Sequence, residues 1–417
     1  MFTKLLQALE DPVHPLLGPT LWGLQTWGMW LSNKRLSRIL YYLLHISAIV
    51  FVFSQYVELW IIRSHLEQAL RNLSVTMLSS VCVVKAGTFI LWQKHWKHVM
   101  QYVSELERRQ LSIRDNVTKR IIRDYTKYSR VVTYFYWCLV TITVFTVILA
   151  PLAIVTSSKE SMKLIKNGSR SYPEIMSSWV PFDKSRGYGY WVLVLEHSLI
   201  CFYGGGIVAN YDSNAVVLMT FFAGQLKLLN VKCARLFGDE QKRLDYKVAM
   251  ARIRDCHNHH LHLVENAKIL NSLLSPVMFL YIIICSLMIC SSAVQLTKDG
   301  ITTMQQIWIA EYLIALIAQL FLYCWHSSIV LNMSIQVEDG VYASGWWAQE
   351  MRVRRSVLLL GGQLRKTVVF TAGPFTKLTV ATFVAVRRHS TSLYSFYNLL
   401  QRSYVVPRSR HRVVLID

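Results

Sequence analysis

Long apolar runs restrict how this chain can fold more than any other feature. A helix that crosses a hydrocarbon core of about 30 Å needs about 20 mostly apolar residues. Seven runs meet this length, and no internal repeat or low-complexity linker divides the chain: 39–62, 72–92, 131–155, 190–222, 273–296, 304–328 and 367–400. Because a segment in lipid must satisfy its own backbone polar groups, the runs predict an all-α membrane protein with seven transmembrane helices.

The composition agrees with this fold class. Hydrophobic residues make up 53% of the chain and charged residues only 17%, against about 25% charged residues in a typical soluble domain. The net charge of +21 lies between the apolar runs, as expected for cytosolic loops that face anionic lipid. A nucleic-acid binder would place such charge with aromatic residues on a soluble domain, so we expect membrane lipid as a partner and no nucleic acid.

The distribution of Lys and Arg predicts the orientation. Residues 93–130 are rich in both, whereas the short connection 63–71 carries only Arg63 and Arg71. The positive-inside rule therefore places 93–130 in the cytosol, with a cytosolic amino terminus and an extracellular carboxyl terminus. A G-protein-coupled receptor has the opposite orientation, and that family's Asp-Arg-Tyr and Asn-Pro-x-x-Tyr motifs are missing at the corresponding spans.

The predicted orientation also assigns a modification site. The loop 156–189 lies outside the cell in this topology, and it contains the sequence Asn167-Gly168-Ser169. This is an acceptor motif for N-linked glycosylation. We therefore predict that Asn167 is glycosylated.

The motifs of enzymes and metal sites are absent, with one imperfect candidate. Residues 256–262 contain a cysteine and four histidines. On a helix, His257 faces His260 and His259 faces His262, but the two pairs point in different directions. We expect this segment to be the solvated face of a cytosolic helix. The sequence predicts no catalytic residue, no metal site and no cofactor.

Ionisable residues inside the apolar runs are expensive and are often functional. Lys85 and Asp212 lie in the inner halves of two spans and are expected to pair across helices. Glu196, His197 and Glu311 lie in outer halves. These three either line a water-accessible cavity or lie close to the lipid headgroups, and the sequence leaves both interpretations open.

Aromatic and methionine side chains concentrate in the outer halves of several spans. Such side chains enclose apolar ligands in pockets, but they are also common at membrane interfaces. The candidate ligand-binding residues, including the histidine above, are Met77, Phe145, His197, Tyr203, Met304, Trp308 and Tyr312.

The last third of the chain contains a series of short motifs. They are Asn332, Val341-Tyr342, Trp346-Trp347, Leu358-Leu359-Leu360, Thr371-Ala372-Gly373-Pro374-Phe375, Leu378, Thr382-Phe383-Val384 and Tyr394-Ser395-Phe396-Tyr397-Asn398-Leu399-Leu400. Together these motifs resemble the carboxyl-terminal signature of insect odorant receptors. Gustatory receptors share the layout, but their Thr-Tyr and Gln-Phe motif in the seventh span is not found. A gustatory-type channel of the same superfamily and an unrelated multi-spanning transporter are the alternatives.

The resemblance implies an odorant-gated, non-selective cation channel at the plasma membrane of olfactory dendrites. This chain would be a tuning subunit that binds a small apolar volatile and forms a hetero-tetramer with the shared co-receptor, whose longer second cytosolic loop it lacks. The implied organisation is a six-helix ligand-binding bundle (1–328), a cytosolic anchor helix (329–366) and a pore-lining seventh helix (367–401). From their own pattern, residues 329–366 form an amphipathic helix that packs either between subunits or within one.

Particular positions follow from the motif. The implied pore residues are Tyr394, Asn398 and Gln401, and the implied subunit contacts are Tyr342, Trp346 and Leu359. Two features depart from the family. The segment Arg387-Arg388-His389-Ser390-Thr391 is longer than the family spacing, and an atypical basic tail follows at 402–417.

Overall fold

The structure is a computed structural model of the whole chain. It describes residues 11, 13–31, 34–64, 66–157, 172, 174–182, 187–238, 244–296, 303–388 and 392. Several side chains at helix ends, including those of residues 150–157 and 303–305, lie outside this description.

The described residues are predominantly helical. The helices are α1 (Gly18–Thr26), α2 (Arg35–Ile61), α3 (Leu66–Leu91), α4 (Gln93–Ser112), α5 (Asn116–Ser157), α6 (Gly187–Ala234), α7 (Tyr246–Leu296), α8 (Thr303–Tyr342) and α9 (Met351–Leu364). Short 3-10 turns lie at Ile62–Ser64 and Trp346–Ala348. Two strands of two residues each, β1 (Thr371–Ala372) and β2 (Thr376–Lys377), pair antiparallel.

Six of the described helices are long and apolar enough to cross a membrane. The spans begin in α2, α3, α5, α6, α7 and α8 and correspond to the first six predicted runs. Helices α5, α6 and α7 are 42, 48 and 51 residues long, well beyond the roughly 20 residues that a bilayer requires. The extra turns extend beyond the apolar runs into the charged segments 93–130 and 223–272.

Helix α6 forms the centre of the bundle. Its residues 206–226 are buried without interruption, which is the pattern of a helix surrounded by protein on all sides. Glycines allow neighbours to approach closely: a Cβ at Gly206 would lie 2.2 Å from the Trp27 ring, and one at Gly224 would lie 2.3 Å from the Tyr125 ring. A larger residue at either position would displace its neighbour.

The segment before the first span folds back into the bundle. Leu16, Leu17, Leu24 and Met29 are at most 1% exposed, and α1 packs against α6. Arg130 of α5 holds the segment by donating to the carbonyl oxygens of its residues 15 and 16 at 2.6 and 2.9 Å. Burial of these apolar side chains stabilises the fold, and periodicity alone does not reveal it because the segment is short.

The seventh span begins later than its apolar run. The run starts at 367, but the β1–β2 hairpin occupies 371–377 and helix resumes at 380–388. Gly373 has φ +68°, a left-handed conformation that glycine adopts readily. Its N–H donates to the Ser275 carbonyl of α7 at 3.1 Å, next to Pro276, so the hairpin is attached to α7. Residues 389–391 and 393–417 lie outside the described residues.

Candidate functional site

A buried ion pair lies at the centre of the bundle. The Lys85 ammonium of α3 donates to Asp212 Oδ1 of α6 at 2.6 Å, and the side chains are 0% and 3% exposed. Removing two charges from water costs several kcal/mol per ion, which only close pairing and further hydrogen bonds offset. The predicted pairing of Lys85 with Asp212 is confirmed.

Three further donors complete the shell of the Asp212 carboxylate. The Tyr136 hydroxyl of α5 donates to Oδ2 at 2.7 Å. The Gln319 amide of α8 donates to Oδ2 at 2.5 Å, and the Tyr323 hydroxyl donates to Oδ1 at 2.6 Å. With Lys85, four donors occupy the roughly four lone-pair sites of the carboxylate. We call Lys85, Tyr136, Asp212, Gln319 and Tyr323 the polar centre.

Helix α7 joins the polar centre indirectly. The Tyr281 hydroxyl donates to Gln319 Oε1 at 2.9 Å, and the Lys85 ammonium lies 5.1 Å from the centroid of the Tyr281 ring. A cation at this distance is attracted to the face of an aromatic ring. The polar centre therefore connects α3, α5, α6, α7 and α8 at one level.

A small cavity adjoins the polar centre. It has a volume of about 10 Å³ and is lined by Val132, Thr133, Tyr136, Asp212, Ser213, Val216, Gln319, Leu322 and Tyr323. This volume is close to the minimum for one water molecule. The cavity is therefore too small to hold an organic ligand.

Two of the predicted ligand-binding residues occupy the interior of the outer half with their polar groups paired. His197 is 1% exposed, accepts or donates a hydrogen bond with Ser178 at 2.9 Å, and meets the Phe51 ring edge-on at 5.4 Å. Tyr203 is 5% exposed, and its hydroxyl hydrogen-bonds His45 of α2. The structure therefore places His197 in the interior of the bundle.

The other predicted residues differ in their placement. Met77 and Tyr312 are partly buried and pack against the core. Trp308 is partly buried. Phe145 is 48% exposed and packs edge-on against Phe202 on the outer surface of the bundle, so it does not face the interior. Met304 lies in α8, but its side chain is outside the described residues.

The two acidic residues predicted in the outer halves, Glu196 and Glu311, lie in different environments. Glu196 is exposed on the bundle surface. Glu311 is partly buried, and its Oε1 accepts a hydrogen bond from the Thr143 hydroxyl of α5 at 2.8 Å. Glu311 therefore faces a neighbouring helix, whereas Glu196 faces the surroundings.

Residues 174–182, from the loop before α6, pack on the outer half of the bundle. Met176 and Ser178 are 6% and 1% exposed, and Trp179 donates its N–H to the Ser54 carbonyl of α2 at 3.3 Å. Gln55 of α2 is fully buried beneath the loop, and its amide donates to the Met176 sulfur at 3.7 Å. These loop residues were not identified from the sequence, since they lie in a short segment without periodicity.

A second buried polar cluster lies on the cytosolic side. Glu107 of α4 is fully buried and accepts hydrogen bonds from the Tyr125 hydroxyl at 2.7 Å and the Leu16 N–H at 3.2 Å. Burial raises the pKa of Glu107 to about 7, although both hydrogen bonds and the nearby Arg130 favour the ionised form. The cluster attaches the amino-terminal segment to α4 and α5.

The structure corrects the prediction that residues 256–262 form a solvated helix face. His259 and His260 are 9% and 4% exposed, and Cys256 is also buried, so this face of α7 packs inward and is not solvated. His262 remains exposed beside Glu265, at 3.7 Å. Among the described residues, no group of three or more His, Cys, Asp or Glu side chains is placed to hold a metal.

The anchor helix α9 has two apolar faces. Val353, Val357, Leu360 and Leu364 are buried at helical spacing against the bundle. Leu358 and Leu359 on the other face are 54% and 73% exposed. Tyr342 is 45% exposed and Trp346 is partly buried. Packing within the subunit therefore uses only one side of this segment, and the other side is left exposed.

Several predicted positions lie outside the described residues. These are the pore residues Tyr394, Asn398 and Gln401, the glycosylation site Asn167, and the basic tail 402–417. In the segment 387–391, which is longer than the family spacing, Arg387 and Arg388 continue the helix that begins at residue 380.

The donors of the polar centre and its connection to α7 were also missed from the sequence. A usable signal was present, because Gln319 and Tyr323 are i,i+4 neighbours inside an apolar run. Residues four apart share one helix face. Polar residues repeated on one face of a membrane helix indicate a buried polar partner.

Comparison with known proteins identifies the family. The family model described as 7tm Odorant receptor matches residues 65–391. Odorant receptor 82a of Drosophila melanogaster is 23% identical over 364 residues, which cover 86% of this chain and 92% of that receptor. Odorant receptor Or2 of Anopheles gambiae is 25% identical over 154 residues, and this match spans only 40% of its length.

A solved structure has the same fold. The insect olfactory receptor OR5 from Machilis hrabei, in complex with eugenol, superposes with a TM-score of 0.79 and 17% sequence identity, covering 94% of this chain and all of that chain. The predicted seven-helix membrane fold is confirmed by this match, and the prediction that the chain is a receptor and not an enzyme is confirmed by the family. The family model spans most of the chain, including five of the six described membrane helices and the start of the seventh, and the chain therefore belongs to the 7tm odorant receptor family.

Proposed function

We propose that this odorant receptor is the tuning subunit of an odorant-gated, non-selective cation channel that assembles as a hetero-tetramer with a shared co-receptor. Its ligand is a small, largely apolar volatile. The chain lies in the plasma membrane, with olfactory dendrites as the expected site. Eugenol, the molecule bound to OR5, belongs to this class of small volatiles.

The observation that supports a ligand site most directly is the closed outer half of the bundle. A loop covers this region through Met176 and Ser178, and the interior beneath it contains His197 and Tyr203. Helices that only cross a membrane do not need buried polar side chains there, and such residues usually mark a functional site. We assign Met77, Trp308 and Tyr312 to the same site.

Gating follows from the position of this site above the polar centre. Helices α3, α6 and α8 supply both the proposed ligand residues and the members of the polar centre. A ligand that binds the open arrangement of these helices more tightly than the closed one shifts the population toward the open channel. The pore is proposed to lie in the second half of the seventh helix, with Asn398 at its constriction and Tyr394 and Gln401 one turn away on either side.

The exposed face of α9 supports assembly with other subunits. Leu359 and its neighbour Leu358 leave exposed apolar side chains on this helix, and Tyr342 is exposed as well. Exposed apolar patches of this kind commonly mark protein–protein contacts. We propose that this surface, with Trp346, forms the contact with the co-receptor.

The proposal is tested by whole-cell current in cells that express this chain with and without the co-receptor. Cells are challenged with a broad volatile panel while G-protein signalling is blocked. A fast, non-selective cation current that requires both chains is expected. Current that disappears with the block, or that the co-receptor alone produces equally well, would contradict the proposal. Surface labelling of both chains in the same cells serves as the control for expression.

A further inference from the structure

The buried hydroxyl of Tyr312 indicates which chemical class of ligand the receptor binds. We infer that the ligand is an otherwise apolar volatile that carries an acceptor oxygen, and that this oxygen accepts a hydrogen bond from the Tyr312 hydroxyl. Ketones, esters, ethers and alcohols meet this requirement, whereas hydrocarbons do not. The inference rests on the proposed function, since it takes the outer half of the bundle as the ligand site.

The Tyr312 hydroxyl is buried and has no hydrogen-bond partner among the described residues. Three other buried tyrosines of the bundle interior have partners: Tyr136 and Tyr323 donate to Asp212, and Tyr281 donates to Gln319. A buried hydroxyl without a partner costs free energy and calls for an explanation. A ligand oxygen would supply the missing acceptor.

Tyr312 lies on the interior face of α8. Residues four, seven and eleven positions further along the helix are Leu316, Gln319 and Tyr323, at 3%, 5% and 0% exposure. This spacing follows one face of an α-helix. Two helical turns, about 10 Å, separate Tyr312 from Gln319. The Tyr312 side chain therefore faces the interior on the outer side of the polar centre.

Three other helices meet α8 at this level. The Tyr312 side chain lies near the thiols of Cys82 of α3 and Cys285 of α7. Cys82 also neighbours Tyr203 of α6, and a Cβ at Gly204 would lie 3.6 Å from its sulfur. Thiols are weak hydrogen-bond acceptors. The surroundings of Tyr312 are therefore apolar and sulfur-rich, and they favour an apolar ligand that brings its own oxygen.

The residues around Tyr312 lie close to the polar centre. Cys82 precedes Lys85 by three residues on α3, and Cys285 follows Tyr281 by four residues on α7. Each pair is separated by about one helical turn. A ligand held by Tyr312 thus contacts the turns next to the polar centre. A buried donor favours ligands that carry the acceptor over analogues that lack it, by about the worth of one hydrogen bond.

Binding to the purified receptor tests the inference without depending on current. The probes are a series of 2-alkanones and the matched alkenes in which a methylene group replaces the carbonyl oxygen. A ligand that binds only the folded state raises its apparent melting temperature. The wild-type protein is expected to bind the ketones roughly 3- to 10-fold more tightly than the alkenes, the range of one neutral hydrogen bond.

The variant Tyr312→Phe removes the donor and keeps the ring. It is expected to weaken ketone binding to the level of the alkenes and to leave alkene binding unchanged. The matched control is Tyr102→Phe, because the Tyr102 hydroxyl is also buried without a partner among the described residues but belongs to cytosolic α4. The control variant should keep the ketone preference.

Three outcomes would overturn the inference: equal binding of ketones and alkenes by wild type, a preference that survives in Tyr312→Phe, or stabilisation by no probe pair. Failure of the channel proposal looks different. In that case the ketone preference and its loss in Tyr312→Phe persist in the purified protein, while no volatile evokes current.

Discussion

The polar centre predicts an asymmetry between two single substitutions. In Asp212→Asn, the Lys85 ammonium keeps its full burial and loses its carboxylate. In Lys85→Met, the Asp212 carboxylate keeps three donors at 2.5 to 2.7 Å, from Tyr136, Gln319 and Tyr323. An uncompensated buried charge costs more than a charge that retains hydrogen bonds, so Asp212→Asn should be the more harmful change.

The magnitudes follow from the same contacts. Breaking a buried pair from one side costs about 3–5 kcal/mol, and Asp212→Asn should lie at the upper end of that range. Tyr136→Phe removes a single hydrogen bond to a charged group, worth about 1.5–3 kcal/mol. The double variant Lys85→Met/Asp212→Asn leaves no buried charge, so its loss should be smaller than the sum of the single losses by about 1–3 kcal/mol.

The assay is the apparent melting temperature of detergent-solubilised receptor, followed by size-exclusion chromatography, together with surface abundance in cells. The expected order of stability, from highest to lowest, is wild type, Tyr136→Phe, Lys85→Met and Asp212→Asn, with the double variant above Asp212→Asn. Additive losses in the double variant would refute the argument that the two charges stabilise each other. Equal losses in Asp212→Asn and Tyr136→Phe would refute the importance of the buried charge.

Four further predictions concern other parts of the molecule. Because the native pKa of Glu107 is raised to about 7, the folded state holds this proton more tightly than the unfolded state. Stability should therefore fall by at most about 3 kcal/mol as pH rises from about 4.5 to 7, and Glu107→Gln should flatten that part of the melting-temperature profile; an unchanged profile would contradict the assignment. Gly373→Ala should destabilise the hairpin by roughly 1–3 kcal/mol, because φ is +68° and the new Cβ would lie 2.7 Å from the Phe279 ring. Gly362→Ala, which meets nothing within 4 Å, is the control, and equal melting temperatures for the two variants would count against the strain. Leu359→Arg should abolish co-purification with the co-receptor while the subunit itself stays folded, since this side chain is 73% exposed. Leu359→Met, which keeps an apolar side chain at the same place, is the control, and intact complexes in Leu359→Arg would exclude that contact. Asn167→Gln should remove a glycosidase-sensitive shift in gel mobility, and a wild-type protein without such a shift would argue against an extracellular, glycosylated loop.

The sequence by itself determined the fold class, the first six spans and the pairing of Lys85 with Asp212. These features depend on local properties. The length of an apolar run shows directly whether a helix can cross the bilayer. A charge inside such a run requires an opposite charge nearby. The carboxyl-terminal motif added the family, which the family model confirms.

Tertiary structure alone decided which groups complete the site. Tyr136, Gln319 and Tyr323 come from two helices far apart in the chain and reach Asp212 only because of how α5 and α8 rotate against α6. The burial of His259 and His260 and the outward placement of Phe145 also depend on helix rotation. The rotation of a helix about its axis cannot be predicted from the apolar runs, because it is set by the packing of whole helix faces against their neighbours. The late start of the seventh helix has the same origin, since the hairpin at Gly373 is held by the Ser275 carbonyl of α7.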